Sequence, residues 1–425
     1  MPLDTNKYRS AGRDQNLSSA VGACQRSFRS LINLTTKFHI FIWTRVSGQK
    51  RELGFIRVHN VTPVGLAGAV LCTLLLFIGG STFGAEHKKD AARVAESIQQ
   101  RLESELFALD PDIQAHFALR MYRMTGDERY LPPIVYNLLV TLENLRRDLS
   151  QAHDSSYVAG RCSEMRSNLN PKTRKGRIRA EMFERAGAVQ FYLNLLHAAN
   201  DFAELGVKDT EPFRGPFQVS LSECRPAEIE SFLLDSKVIR AYAPQAVNYV
   251  YYLYDLGLAD IRQAYTETFR ATYPDLADRD MLQDDYADKV YGLTHFITAA
   301  SRYYQQSVDS TEFAWILDYF EKNLDRIIDD TREDVVAEVG LCFLLTGREN
   351  NPAVVACRKR MIDRFDSGEG LIPSTTGRTD LAQSEHRNII AYMLLTWPDR
   401  LHSGPNLPES RFFREVLAHS KNGGE

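Results

Sequence analysis

Four polar sites stand in segments that are otherwise apolar. Glu338 is the one charged side chain in 335–345, VVAEVGLCFLL. His295 sits in 290–300, VYGLTHFITAA. Glu385-His386-Arg387-Asn388 opens a segment that continues IIAYMLLTW. Asn248 lies in a Tyr-rich stretch beside Tyr249 and Tyr252. A carboxylate or imidazole in such a setting needs a partner, or it carries a task.

The residue types suggest acid–base work. Glu338 suits a general acid or base, its carboxyl tuned by burial. Asp334 or Glu385 would be the second carboxylate of a glycan hydrolase. A lyase would instead use His295 with Tyr291. His386 completes the catalytic candidates. Asn248, Tyr252, Arg387 and Asn388 are the candidates for substrate binding, with Tyr249 and Tyr252 able to stack on sugar rings. His295, Glu338 and His386 are sensible metal ligands. No HExxH-type local pair accompanies them, so no metal and no cofactor is assigned. GxSxG, P-loop and GxGxxG motifs are absent.

The spacing links these residues. Asn248 to His295 is 47 residues, His295 to Glu338 is 43, and Glu338 to His386 is 48. A period in the forties matches one helix pair per repeat. Parallel inner helices would bring one polar group each to similar depth. Asp334 lies one turn before Glu338, and Tyr291 one turn before His295. Most of these groups fall near helix N-termini, which favour anions. An acidic or carbohydrate ligand fits that mouth. The loop 368–377, GEGLIPSTTG, would lie there too and could cover it.

Plainer readings exist for each residue. Asp334 and Glu385 could cap helices, and His295 could be a hydrogen-bonded core histidine. Glu338 could pair with Arg387 or Arg302. On those terms the chain is a non-catalytic helical-repeat binding or scaffold protein.

The elements that must hold these residues are helical almost throughout after Glu86. Amphipathic patterns cover 89–109, 111–124 and 130–150. The stretch 152–176 reads as a basic loop. A long helix covers 178–205. Beyond 225, segments apolar on every side (243–256, 285–306, 331–346, 383–397) alternate with amphipathic ones (258–272, 311–328, 352–365, 409–420). A helix apolar all round must be enclosed by protein. Gly257 and Gly347 suit C-terminal caps. Asn351-Pro352 suits an N-terminus, and Thr331 with Asp334 resembles a capping box. The expected fold is all-α, with helical hairpins closing into an α/α toroid or winding into a superhelix.

Bulk composition agrees. The chain has 425 residues, 44% hydrophobic and 25% charged, with net charge -4. That suits a globular protein and argues against nucleic-acid binding. The basic stretch 172–179 reads as a solvated loop. Residues 1–58 are basic, and Val64 to Gly80 form an uncharged run of seventeen. This run falls between a signal-peptide core and a membrane span. It is expected to be a cleaved signal behind a misplaced start, or an uncleaved anchor. Either places the rest outside the cytoplasm, in the periplasm. The expected parts are 1–63 as a basic extension, 64–85 as signal or anchor, 86–175 as N-terminal helices and loop, and 176–425 as the hairpin domain. Cys162 and Cys224 could bridge in an oxidising compartment, while Cys342 and Cys357 read as buried thiols.

YGLTHFITAASRYYQ (291–305), DVVAEVGLCFLLTG (334–347) and GLIPSTTGRTDLAQSEHRNIIAYMLLTW (370–397) resemble domain of unknown function family 3541. The resemblance spans about 180–400 and implies an exported helical protein of marine gamma-proteobacteria. It implies no reaction and no catalytic residues.

Overall fold

A computed structural model describes residues 88–422. The expectations for residues 1–85 lie outside the described residues. Among the described residues no helix is long and apolar enough to cross a membrane.

The described chain is helical, apart from one isolated antiparallel bridge between Asp366 and Leu371. Helix α1 covers residues 88–105. It is followed by α2 (Pro111–Thr125), α3 (Leu131–Ser150), α4 (Ser155–Ser167), α5 (Arg174–Ala186) and α6 (Val189–Glu204). Two short helices, α7 (Arg214–Glu223) and α8 (Pro226–Leu233), lead to α9 (Ser236–Asp255) and α10 (Arg262–Thr272). Then come α11 (Gln283–Ala300), α12 (Ala314–Asp330), α13 (Glu333–Leu345), α14 (Pro352–Arg364), α15 (Leu381–Leu395) and α16 (Arg411–Asn422).

The apolar segments pack on one another as their composition requires. α9 packs on α11, α11 on α13, and α13 on α15. α15 packs on α2, α2 on α3, α3 on α6 and α6 on α9, so the contacts return to their start. Every residue of α13 is buried. Amphipathic α10, α12 and α14 pack against these helices and keep polar faces toward water. Thr294 meets Glu338 at an offset of 44, and Cys342 Sγ meets the Thr294 carbonyl at 48. Thr294 thus faces one full turn of α13, from Glu338 to Cys342.

Close helix approach depends on Gly292, next to Tyr291. A Cβ there would lie 2.9 Å from the Ala243 Cβ on α9 and 2.8 Å from the Phe269 ring on α10. Gly292→Ala gains about 1 kcal/mol of helix propensity. The Ala243 Cβ cannot rotate away, and overpacking costs roughly 1–3 kcal/mol. A net loss of stability is therefore expected, read as a lower urea midpoint.

Several local expectations hold. Gly257 and Gly347 adopt positive φ at helix ends (69° and 70°). Asn351 Oδ1 accepts the Ala353 N–H at 2.8 Å.

Others are corrected. The supposed loop 152–176 contains α4. Its start is capped by Asp154, which accepts the Ser156 N–H at 2.8 Å. Buried Asp148 then holds Tyr157 Oη at 2.6 Å and Arg161 Nε at 2.9 Å. These partners stabilise a helix whose own pattern is polar. The long helix 178–205 is two helices, broken where Gly187 takes φ 60°. The Thr331–Asp334 capping box does not form. Thr331 Oγ1 donates to the Ile327 carbonyl at 2.6 Å, and Asp334 pairs with Arg332 at 3.3 Å.

The basic stretch 172–179 is the start of α5 rather than a solvated loop. Arg174 pairs with Asp285 and Lys175 with Asp288, and Arg179 lies over the Tyr242 ring. Cys162 and Cys224 are free and buried, not bridged, as are Cys342 and Cys357.

Helix α11 stops at Ala300, short of the expected 306. Arg302, Tyr303 and Tyr304 follow with φ of 52°, 55° and 72°. Three consecutive non-glycine residues in the left-handed region are strained, at about 1 kcal/mol or more each. Two contacts hold the turn. Ser301 Oγ accepts the Tyr304 N–H at 2.9 Å, and the Tyr303 carbonyl accepts from Arg123 Nη1 at 2.9 Å.

Candidate active site

The polar residues of the inner helices meet in one connected cluster. Asn248 on α9 has Oδ1 2.7 Å from His295 Nδ1 on α11. His295 Nε2 lies 3.8 Å from Glu338 Oε2 on α13. Glu338 Oε1 lies 3.6 Å from His386 Nε2 on α15. Thr294 Oγ1 reaches Glu338 Oε2 at 2.6 Å. Tyr291 Oη lies 3.2 Å from the same His386 Nε2.

The cluster continues onto α2 through a residue the spacing did not reveal. His386 Nδ1 lies 3.2 Å from His116 Nε2, and His116 Nδ1 lies 2.9 Å from Glu385 Oε1. Donor and acceptor roles follow from the carboxylate end. The Glu385 carboxylate oxygen accepts, so His116 Nδ1 donates. Burial foremost, with the Arg120 charge second, lowers the His116 pKa to about 4, so its Nε2 is free to accept. His386 Nδ1 then donates to it. On its other side, His386 Nε2 meets the Tyr291 hydroxyl and lies near Glu338 Oε1. A relay of contacts runs Tyr291, His386, His116, Glu385.

His295 is set up differently. It is mostly buried, and burial first of all lowers its pKa to about 4, with His386 and Arg120 acting in the same direction against Glu338. The ring is neutral at pH 7. With Nδ1–H given to Asn248, Nε2 carries a lone pair, and it has no hydrogen-bond partner. The ring stands edge-on to Tyr291, with centroids 4.8 Å apart. Burial pushes the Tyr291 phenol well above its ordinary range, helped by Glu338 and Asp334. Tyr291 is thus a proton donor, and His295 Nε2 an acceptor beside it.

Not every expected residue joins the cluster. Asn388 is fully buried and serves the loop. Its Oδ1 accepts the Ile372 N–H at 2.7 Å, and its Nδ2 donates to the Ile372 carbonyl at 3.0 Å. Its second amide hydrogen goes to the Ser384 carbonyl at 2.9 Å. Arg387 is buried, with Nε and Nη1 lacking acceptors, and it pairs with none of the site residues. Neither Arg387 nor Arg302 is the Glu338 partner; Arg302 pairs with Asp255. Glu385 binds His116 and does not cap α15. Asp334 stays one turn from Glu338, with Oδ1 buried and unbonded. Tyr252 lines a separate cavity of about 260 Å³ with Glu204 and Tyr303, its hydroxyl 3.5 Å from Tyr303 Oη. Among the described residues no group of three or more His, Cys, Asp or Glu side chains has metal-holding geometry.

Two site residues were missed, His116 and Arg120. They lie one turn apart on α2, which reads as an ordinary amphipathic helix. Only an inner position for α2 would have marked them.

No curated protein and no solved structure matches the chain. A family described as Domain of unknown function (DUF3541) matches residues 91–419, so α2 and all four inner helices fall within it. With that much of the sequence matched, the chain belongs to the DUF3541 family.

Proposed function

We propose that this protein is a glycan lyase whose site lies inside a closed α/α toroid. The observation that carries the reading is His295. Its Nδ1 is anchored by Asn248, its buried Nε2 has no hydrogen-bond partner, and its ring stands edge-on to Tyr291.

The reaction is a β-elimination. His295 Nε2 takes the proton from a sugar carbon next to a carbonyl-type group. That C–H electron pair becomes the new C=C bond. The C–O bond to the departing sugar breaks, and its electron pair stays on oxygen. Tyr291 Oη gives that oxygen its proton, and in the resting site this hydroxyl lies 3.2 Å from His386 Nε2. The proton held on His295 then returns to the phenolate, so no water is consumed. Glu338, held by Thr294, lies between His295 and His386.

Hydrolysis is the second reading, through Glu338 and Asp334. The unbonded Oδ1 of Asp334 favours it. The engagement of Glu385 with His116 weighs against Glu385 as the second carboxylate. The segment 64–80 would carry the protein to the periplasm, where glycans are met.

The test is incubation of the full chain with acidic and neutral polysaccharides. Ultraviolet absorbance of the conjugated C=C product is followed alongside reducing ends. A lyase gives both signals together. Reducing ends without the absorbance would favour hydrolysis. Neither signal with any polysaccharide would leave a scaffold.

A further inference from the structure

Arg120 is a buried cation without a counter-ion. It is 8% exposed, yet it forms no ion pair among the described residues. Its one hydrogen bond runs from Nη1 to the His116 carbonyl of its own helix, at 3.1 Å. Its Nε has no acceptor. Four carboxylates of the site and the adjoining helices have other partners. Glu338 is held by Thr294, Glu385 by His116, Asp334 by Arg332 and Glu204 by Arg123. The Arg120 charge is felt by His116 on α2, His295 on α11, and Tyr303 and Tyr304 on the left-handed turn. Its bond to the His116 carbonyl sets it one turn from the relay, within electrostatic reach of His295.

An unpaired buried guanidinium is costly to keep unless something binds it. Its planar fork matches a carboxylate through two parallel N–H bonds. We infer that Arg120 receives a free carboxylate on the sugar, so that the substrates are uronates rather than their esters or neutral sugars. This rests on the lyase reading and names its substrate class. The carbon that yields its proton to His295 is the one bearing that carboxylate. Pairing with Arg120 would offset the negative charge that builds on the carboxylate as the proton leaves.

The test is calorimetric titration of the full-length His295→Gln protein, which binds without turnover. The probes are galacturonate, glucuronate and mannuronate tetramers, their methyl esters, and a sulfated neutral tetrasaccharide. At least one free acid is expected to bind about tenfold or more tighter than its ester, the worth of a charge-assisted contact. Adding Arg120→Met should erase that difference, and Arg120→Lys should keep part of it. The inference is overturned if no uronate binds, if acid and ester bind alike, or if the preference survives Arg120→Met. Should Arg120→Met fail to fold, the acid-to-ester ratio before substitution and in Arg120→Lys still decides. A sulfated neutral sugar that binds as tightly as the uronate overturns the carboxylate assignment. The two readings fail separately. Esters eliminated by the wild type as fast as acids would spare the lyase and sink the role of Arg120. An Arg120-dependent preference for acids, with no elimination by the wild type, would do the reverse.

Discussion

His295→Gln is expected to lower turnover by about 10²–10⁴-fold, the usual worth of a positioned general base. Glutamine is close in size and can keep a hydrogen bond to Asn248, but its amide has no basic lone pair. The fold should survive. His295 Nε2 already lacks a hydrogen bond, so its removal leaves no new orphan. Single-turnover rates and thermal unfolding, run side by side, separate the two effects. A large loss of rate with an unchanged unfolding midpoint supports the base. Equal losses in both would reduce His295 to a packing residue.

The pH profile carries the same claim. The base acts in its neutral form, and its folded pKa lies near 4. Rate is therefore expected to be flat through the weakly acidic range and to fall as pH drops through about 4. Glu338 opposes this shift, while His386 and Arg120 reinforce burial. A limb centred near the ordinary histidine value of about 6.5 would mean a solvated ring.

The second large effect concerns the join between the two ends of the ring of contacts. Arg123 on α2 is 1% exposed and pairs with Glu204 at the end of α6. Its Nε donates to the Gly404 carbonyl at 3.1 Å, and its Nη1 to Tyr303 at 2.9 Å. One side chain thus ties α2, α6, the left-handed turn and the C-terminal segment. Arg123→Met keeps the volume and removes the charge. It leaves Glu204 with Gln305 Nε2 at 3.0 Å as a neutral donor. Breaking a buried pair from one side costs roughly 3–5 kcal/mol. Chemical denaturation should show a loss of that size. A loss under about 1 kcal/mol, the range of an exposed pair, would show that the join does not depend on Arg123. The strained turn should respond too, because Arg123 holds the Tyr303 carbonyl.

Much of this site was legible in the sequence because the inner helices are so apolar. Against VVAEVGLCFLL a single glutamate stands out, and the forty-odd residue period connects it to His295 and His386. Helical repeats turn such spacing into contact. The period cannot reach residues whose partners lie across the closing join. His116 meets Glu385 from 269 residues away and His386 from 270, and no local pattern encodes that. Arg120 was hidden for the same reason. Asn388 and Arg387 stand outside the cluster because adjacent helix positions point about 100° apart. His386 reaches the relay, while Asn388 is turned to the loop at Ile372. The helix α4 escaped notice since its stability comes from Asp148 and Asp154 rather than from an apolar stripe.

Nitrogen-15 NMR of the His295 ring, titrated with pH, reaches furthest into the account. A neutral ring protonated on Nδ1 at pH 7, charging only near pH 4, is the expected spectrum. A ring that carries its proton on Nε2, or is already an imidazolium at pH 7, would leave no base in the site and contradict the proposed chemistry.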